Sequence, residues 1–536
     1  MADATILDAF LRQVEQRGDR VALRFKAEPG GDFVARTWAE IHRDVLRLVG
    51  LLDSRGIQAG DRVAQLSENR YEWLLLDLAV GYVGAVHVPL HATLSASQVE
   101  YQVQHSGSRL LFISNEEQAD KVSSLNEPEL RDTFSYEVVP GFNSLWDELP
   151  EPSKREPAVV AEPASTAATI LYTSGTTGEP KGVILSHRNL TSNAEGTLQA
   201  FELDGSQVRL GFLPLSHIFA RTCDLYIWIL EGGEFAIAES RDTVVADCQK
   251  IQPTFLNGVP YFFEKVMQSL IAAGAGDAPG ALRKTLGGRI RYCNSGGAPL
   301  PEHVYDFFHE REVPLLQGYG LTESSPVISC STEKAHLRGC SGKPIPDVEV
   351  AIDNGEIVTR GPHVMLGYWQ NDQATAEVIQ DGWLRTGDLG ELIDGFVRIT
   401  GRSKELIVTS AGKNIAPMLL ESLLTADENI EQVVVIGDNR KYLTALIVPS
   451  WSRLQSVLPD LASSDDPCKD SAAIDHIQRT VTKRLQRLSR HEQIGRFVLL
   501  QHPFSIERGE LTAKLSLRRS VIADHYAEAI SSMYEE

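Results

Sequence analysis

Ten consecutive residues carry the densest chemistry in the chain: Thr173-Ser174-Gly175-Thr176-Thr177-Gly178-Glu179-Pro180-Lys181-Gly182. They comprise three glycines, four hydroxyl side chains and one lysine. Glycines let a backbone approach a ligand closely and turn successive N–H groups into one concavity, which suits phosphate. The hydroxyls add donors, a threonine can reach a Mg²⁺ held by the same phosphates, and the lysine adds a point charge. The stretch is not a Walker A loop, because no Gly-Lys-Ser/Thr follows a four-residue spacer. A Gly/Ser/Thr-rich surface loop is the competing reading. Apolar segments on both sides, Ala168 to Tyr172 and Val183-Ile184-Leu185, favour the phosphate one.

Further clusters stand where loops follow strands, the usual ligand position in α/β sheets. Asn294-Ser295-Gly296-Gly297-Ala298-Pro299 offers a flat glycine surface for a planar base. Gln317-Gly318-Tyr319-Gly320-Leu321-Thr322-Glu323 gathers an aromatic face, a hydroxyl and a carboxylate. Trp383-Leu384-Arg385-Thr386-Gly387-Asp388-Leu389-Gly390 sets an acid in a glycine turn, and Gly401-Arg402-Ser403-Lys404-Glu405 follows. Each alone is weak, since an aspartate in such a turn is commonly a turn-former.

The elements that must position these clusters alternate. Helices are expected over 6–16, 37–52 and from Tyr71, with strands at 21–25, 61–66, 86–90 and 110–114. The alternation predicts a parallel α/β sheet. The acidic, proline-containing stretch from Asn115 to Ser165 reads as a surface segment. Ser186-His187-Arg188-Asn189-Leu190 predicts a polar turn into a helix. Strands follow near 208–215, 234–238, 255–259, 289–295 and 314–320, with a strongly apolar helix from Phe219 to Leu230. From Gly339 short strands with turns indicate a small β-subdomain, and a second domain begins near Arg402.

At 536 residues, two to four domains are expected, and 43% apolar residues suffice for large cores. The net charge of −21 argues against a nucleic-acid binder but permits an anionic small ligand met by a local positive cluster. Six cysteines without CxxC or zinc spacing read as reduced thiols in a cytoplasmic protein. The first residues carry no signal-peptide pattern. The longest apolar stretch, Trp73 to Leu90, is broken by Asp77, Gly81, Gly84 and His87 and predicts a buried helix running into a strand.

Taken in this order, the clusters identify a resemblance over nearly the whole chain, about Leu7 to Ile522. The sequence resembles the adenylate-forming (AMP-binding) superfamily, with acyl-CoA synthetases, luciferases and peptide-synthetase adenylation domains. Leu213-Pro214-Leu215-Ser216-His217-Ile218-Phe219-Ala220-Arg221 and Val408-Thr409-Ser410-Ala411-Gly412-Lys413-Asn414-Ile415-Ala416-Pro417 are similar to the long-chain fatty-acyl-CoA synthetase branch. The resemblance implies an α/β fold: a large N-terminal domain (1–400) of parallel α/β sheets plus a small β-subdomain, then a smaller mobile α+β C-terminal domain (401–536). It implies two half-reactions. A fatty acid carboxylate and Mg·ATP give acyl-AMP and pyrophosphate, and CoA then gives acyl-CoA and AMP.

Residue roles follow from the same resemblance. Thr173, Ser174, Gly175, Thr176, Thr177, Gly178 and Lys181 would hold phosphates, and Glu323 with Thr173 would hold Mg²⁺. Tyr319, with Gly297, Ala298, Gly320 and Thr322 around it, would bind adenine, and Asp388 with Arg402 the ribose. Gly412 and Lys413 would line the pantetheine path; Lys413 equally fits a solvated surface lysine. Lys404 falls at the hinge, where a plain surface lysine also fits. His217 would stand at the mouth of the acyl tunnel, against the competing reading of a hydrogen-bonded core histidine. The catalytic lysine is assigned to Lys514, the only lysine in Gly509 to Arg519; a Thr-Pro-Thr-Leu-Lys pattern in long-chain relatives would instead fall on Ser516. Arg221 is expected to pair with an acid in a helix. The apolar segment Leu225 to Leu230 fits either tunnel or core. The alternatives to a CoA ligase are an acyl-AMP ligase serving a carrier protein and a non-catalytic nucleotide-binding homologue. Expected partners are small molecules, with no nucleic acid and no obligate protein; contact with a membrane surface stays open.

Overall fold

The computed structural model describes residues 4–125, 127–128, 130–173, 179–410, 413–459, 461, 466–505, 507–511 and 517–535. The chain forms two compact units. The larger comprises Met1–Gly297, Phe308–Ala351 and Val358–Thr386, and the smaller Ala298–Phe307, Ile352–Ile357 and Gly387–Glu536.

Two sheets organise the larger unit. One has eight strands, in the order Gly367–Tyr368, Lys181–Ser186, Ala167–Thr173, Val86–Leu90, Arg62–Leu66, Ser108–Ile113, Asp132–Ser135 and Asn143–Ser144. Its pairing is parallel except at the hairpin end, where Lys181–Ser186 is antiparallel to both neighbours. The other has nine strands, ordered Lys343–Pro344, Val327–Cys330, Leu315–Gly320, Tyr292–Ser295, Phe255–Gly258, Val208–Gly211, Glu234–Ile237, Val21–Lys26 and Phe33–Thr37. It too is parallel at its centre and antiparallel at its edges. The parallel α/β expectation therefore holds for the sheet interiors.

Local signals explain the helices. Thr5, Thr37 and Ser186 each accept from the third residue of the helix they precede, and Asp8, Glu40 and Asn189 answer back to the cap N–H. Buried Trp38 stacks on Trp228 at 4.6 Å between ring centres. The segment Leu225 to Leu230 is buried throughout, as core. Trp73 to Leu90 folds as expected, into helix Tyr71–Val83 and strand Val86–Leu90, and no described helix is long and apolar enough to cross a membrane.

The stretch from Asn115 to Ser165 corrects the expectation of a plain surface segment. Asn115 caps helix Glu116–Val122, and Asp132–Ser135 and Asn143–Ser144 extend the eight-stranded sheet. Its acidic composition hid a short strand whose Phe134 stacks on Phe112 at 5.2 Å. The apolar helix from Phe219 is also not uniform: α-helical ends flank one wide π turn, Arg221–Tyr226.

The smaller unit contains a three-stranded sheet in which Ile430–Ile436 runs antiparallel to Leu443–Pro449, which pairs in parallel with Ile494–Leu499. Helices Pro417–Thr425 and Ser471–Leu485 pack on it through Leu420, Leu424, Ile477 and Val481.

Three histidines of the larger unit are buried and held neutral. Burial lowers His87, His187 and His363 to about 4, with the Asp77 hydrogen bond opposing it at His87. Each folded-state pKa lies below the unfolded value, so the unfolded chain takes up protons first. Stability is then fully present above about pH 6.5 and falls as pH drops toward 4, by up to about 3 kcal/mol per histidine. The urea midpoint should decline over that window, and His187→Gln should make the decline shallower. An unchanged slope in the variant would refute the assignment.

Candidate active site

The ten-residue stretch sits where the sequence predicts, between antiparallel strands Ala167–Thr173 and Lys181–Ser186. Thr173 pairs with Lys181 at the last rung before the connecting loop, so both stand at the hairpin's loop end. Ser174 to Gly178 lie outside the described residues. The hairpin's outer neighbour is the short strand Gly367–Tyr368, with Tyr368 opposite Val183 and Gly367 opposite Ile184. The Trp369 N–H donates to Gly182 O at 2.7 Å and extends this pairing.

That neighbour completes a constellation the sequence reading missed. The Lys181 ammonium lies 4.9 Å from the Tyr368 ring centre. The Tyr368 hydroxyl donates to Glu323 Oε1 at 2.9 Å. Burial raises the Tyr368 pKa and the Glu323 charge raises it further, so the phenol keeps its proton and remains a donor. The Met365 N–H donates to Glu323 O at 2.9 Å, fixing the acid's backbone from the same segment. Lys181, Tyr368 and Glu323, distant in sequence, thus form one lysine–phenol–carboxylate group. The missed signal was Gly367-Tyr368-Trp369, an aromatic pair after a glycine within an otherwise turn-rich segment.

Helix His187–Phe201, which follows the hairpin, braces both sides of this group. Asn193 Nδ2 donates to Val327 O at 2.7 Å and its Oδ1 accepts from the Val327 N–H at 3.1 Å. Asn189 Nδ2 donates to Pro362 O at 2.7 Å and Val364 O at 2.8 Å. The first bonds hold the segment after Glu323; the second hold the segment before Tyr368.

Tyr319 and Gly320 end strand Leu315–Gly320, and Thr322 and Glu323 lie in the following 3₁₀ turn, Thr322–Ser324. A Cβ at Gly320 would lie 1.7 Å from the Pro326 carbonyl oxygen, so packing alone demands this glycine. Gly297 has φ of +80°, a left-handed backbone that favours glycine, and a Cβ there would only touch Val259 Cγ1 at 4.0 Å. Ala298 belongs to the smaller unit.

Half-buried His217 caps the helix at Ile218, accepting the Phe219 N–H on Nδ1 at 3.2 Å. That bond places the neutral ring's proton on Nε2, giving a donor there. The His217 ring stacks on His91 with centres 6.2 Å apart, and His91 Nδ1 lies 2.7 Å from Ser216 Oγ. His91 was not singled out in the sequence, where it reads as one histidine after a strand. Arg221 pairs with Asp77 of helix Tyr71–Val83, as expected.

In the smaller unit, Asp388 stands opposite Arg402 on paired strands and forms an ion pair with its Nε at 2.9 Å. Gly387, at φ of +73°, donates its N–H to Glu356 Oε1 at 2.9 Å. Lys404 is exposed in the turn Ser403–Glu405, and exposed Lys413 donates its N–H to Thr409 Oγ1 at 3.2 Å. Gly412 and Lys514 lie outside the described residues.

The donor set at Glu323 fits Mg²⁺. It is a hard carboxylate whose second oxygen is not taken by Tyr368, and Mg²⁺ needs only one or two carboxylates beside phosphate and water. No group of three or more metal-ligating His, Cys, Asp or Glu side chains exists among the described residues, so a closed protein cage is not what this site offers.

Comparison with known proteins identifies the family and the fold. The AMP-binding enzyme family matches residues 10–369, and the AMP-binding enzyme C-terminal domain matches residues 404–536. The long-chain-fatty-acid–CoA ligase FadD15 of Mycobacterium tuberculosis is 35% identical over 548 residues, covering 91% of this chain and 90% of that protein. Long chain acyl-CoA synthetase 1 of Arabidopsis thaliana is 28% identical over 618 residues, covering 99% and 93%. Among solved structures, the anthranilate CoA ligase AuaEII in complex with anthranoyl-AMP superposes with a TM-score of 0.81 at 20% identity over 98% of each chain. ATP-bound MatB from Rhodopseudomonas palustris does so with a TM-score of 0.80 at 23% identity, covering 98% and 99%. These structural likenesses show an adenylate-forming enzyme fold.

Tyr368→Phe removes one charge-assisted hydrogen bond from Glu323 while leaving the ring beneath Lys181. The loss should weaken Mg·ATP binding about tenfold, the lower end for one charge-assisted bond, by titration calorimetry. Equal affinity in variant and parent would show that Tyr368 does not orient the acid.

Proposed function

Since the chain belongs to the AMP-binding enzyme family, we propose that it is an ATP-dependent long-chain fatty acid–CoA ligase working in two half-reactions. In the first, a carboxylate oxygen of the fatty acid attacks the α-phosphorus of ATP. The bond to the bridging oxygen breaks, pyrophosphate leaves, and acyl-AMP remains. In the second, the CoA sulfur gives up its proton and attacks the acyl carbonyl, and AMP leaves. The observation that carries the long-chain reading is the full-length likeness to the mycobacterial and plant long-chain ligases.

The chemistry explains why these side chains are needed. A carboxylate and a triphosphate repel each other, so catalysis is positioning plus electrostatic stabilisation of an in-line transfer. Lys181 and the hairpin loop from Thr173 through Ser174, Gly175, Thr176, Thr177 and Gly178 hold the β- and γ-phosphates. Mg²⁺, held by Glu323 with the phosphates and with Thr173 beside it, would supply further positive charge there. Tyr319 stacks on adenine beside Gly297 and Ala298, and Asp388, oriented by Arg402, accepts from the ribose hydroxyls. His217 donates from Nε2 toward the reacting carboxylate. Lys514 reaches the α-phosphate during adenylation. The C-terminal domain, 401–536, then turns about Lys404 and brings Gly412 and Lys413 to the pantetheine path.

Purified protein given a long-chain fatty acid, Mg·ATP and CoA should release pyrophosphate and AMP and form acyl-CoA without any carrier protein. Accumulation of acyl-AMP that CoA does not discharge would overturn this in favour of an acyl-AMP ligase. Lys514→Ala should slow acid-dependent pyrophosphate release by about 10²-fold or more with the fold intact, the scale of losing one transition-state charge contact. An unchanged rate would remove Lys514 from the mechanism.

A further inference from the structure

The π turn Arg221–Tyr226 is buried at every residue; Arg221 and Tyr226 share Asp77, while Arg221, Thr222 and Asp224 also reach three different segments of the larger unit. Single π turns inside α-helices are rare and concentrate at functional sites. The wider turn redistributes consecutive side chains around the axis, so neighbours in sequence reach separate partners. Three of them reach segments of the larger unit that carry nucleotide-side residues.

Arg221 reaches the phosphate hairpin. Its Nη1 donates to Thr169 Oγ1 at 2.8 Å, and Thr169 lies on the strand that ends at Thr173. Thr222 reaches the carboxylate turn. Its Oγ1 donates to Ser325 O at 3.0 Å, and Ser325 closes the 3₁₀ turn containing Glu323. Asp224 reaches the glycine loop through two amides. Its Oδ1 accepts from Asn257 Nδ2 at 2.6 Å, and Asn257 Oδ1 accepts from Asn294 Nδ2 at 2.8 Å. Asn294 lies on the strand Tyr292–Ser295 that leads directly into Gly296 and Gly297. At the turn's start, the Arg221 N–H donates to His217 O at 3.1 Å. Phe219 packs on Gly296 so closely that a Cβ there would sit 3.0 Å from the ring.

We propose that this π turn is the internal positioning element of the site, with Arg221, Thr222 and Asp224 as positioning residues that set the hairpin, the Glu323 turn and the glycine loop relative to His217. The proposal rests on the ligase reading for what those segments bind. It goes beyond that reading in naming residues that touch no substrate yet decide whether the nucleotide and the acyl group meet in line. Energetics support it. Burial pushes the Asp224 carboxyl up to about 7, against the Arg209 charge and the Asn257 hydrogen bond. A buried acid kept at such cost is poorly explained by stability, and position is the alternative use.

Thr222→Val tests the turn because it is nearly isosteric and deletes one hydrogen bond. Amide hydrogen exchange of the ligand-free protein should speed up at residues 322–325 and stay unchanged elsewhere in the larger unit. In pyrophosphate-release assays the kcat of adenylation should fall about tenfold with the fatty acid KM within twofold, the pattern of lost alignment. Thr222→Ser, which keeps the hydroxyl, should restore both. Asn294→Ala is the independent arm: its faster exchange should appear at residues 295–297 and not at 322–325. Exchange and kinetics of Thr222→Val equal to wild type would overturn the proposal. So would exchange raised uniformly through the unit, since that is general destabilisation. Wild-type protein that releases no pyrophosphate with any fatty acid would sink the ligase reading instead, and the exchange arms would still decide whether the π turn holds these segments.

Discussion

A buried ion pair sits at the centre of the larger unit, and the site is built outward from it. Arg221 and Asp77 are both sequestered from water, and His87 lies against both, 3.0 Å from Asp77 Oδ1 and 3.0 Å from Arg221 Nη2. Burial alone would raise the Asp77 pKa, but the Arg221 charge and the hydrogen bonds outweigh it and hold the acid at about 2. Such a pair is the more tolerable the more of its remaining donors and acceptors are met, and here most are, Arg221 Nε being the exception. Tyr226 donates to Asp77 Oδ2 at 3.0 Å, Thr169 accepts from Arg221, and His87 Nε2 meets Gln65 at 2.9 Å. Removing one partner strands the other charge in the core, roughly a 3–5 kcal/mol penalty. Geometry is therefore enforced by electrostatics: helix Tyr71–Val83, strands Arg62–Leu66, Val86–Leu90 and Ala167–Thr173, and the π turn cannot shift independently.

This internal pairing also bears on the surface. The chain carries a net charge of −21 while its substrates are anionic. Long-range attraction cannot gather them, so positive charge has to be local. Arg221 is committed inside and contributes nothing outward. Among the described residues of the hairpin, Lys181, poised over the Tyr368 ring, supplies positive charge. An aromatic face beneath an ammonium holds it without neutralising it, whereas a carboxylate partner would cancel the charge that phosphate needs.

Much of this was legible in the residues and some was not, for physical reasons. The hairpin, its flanking strands and the helix capped by Ser186 declare themselves through local rules of apolar runs, turn residues and caps. Asp388 and Arg402 could be named separately from their motifs, but their facing register depends on strand pairing, which no local signal encodes. Tyr368 was invisible for the same reason: its role comes from a two-residue strand added to the hairpin's edge. The strand Asp132–Ser135 hid in an acidic stretch because it owes its place to neighbours more than to composition. Gly320 was read as a ligand glycine, yet the Pro326 carbonyl already requires it, so one residue type satisfied two demands that sequence cannot separate. The π turn could not be foreseen, since an apolar run has the same composition in either helix.

A common device links the segments expected to grip ligands. Three of them are bracketed by a pair of bonded backbone positions. Thr173 pairs with Lys181 at the hairpin, Val408 with Asn414 around the 409–413 segment, and Leu511 with Leu517 around the segment that includes Lys514. In the smaller unit the last closure is reinforced, because the Arg518 N–H donates to Glu510 O at 2.8 Å and buried Glu510 takes Arg508 at 2.8 Å. On the nucleotide side, the strands that carry such a pair, Ala167–Thr173 and Lys181–Ser186, have positions that lead back to Arg221 through Thr169.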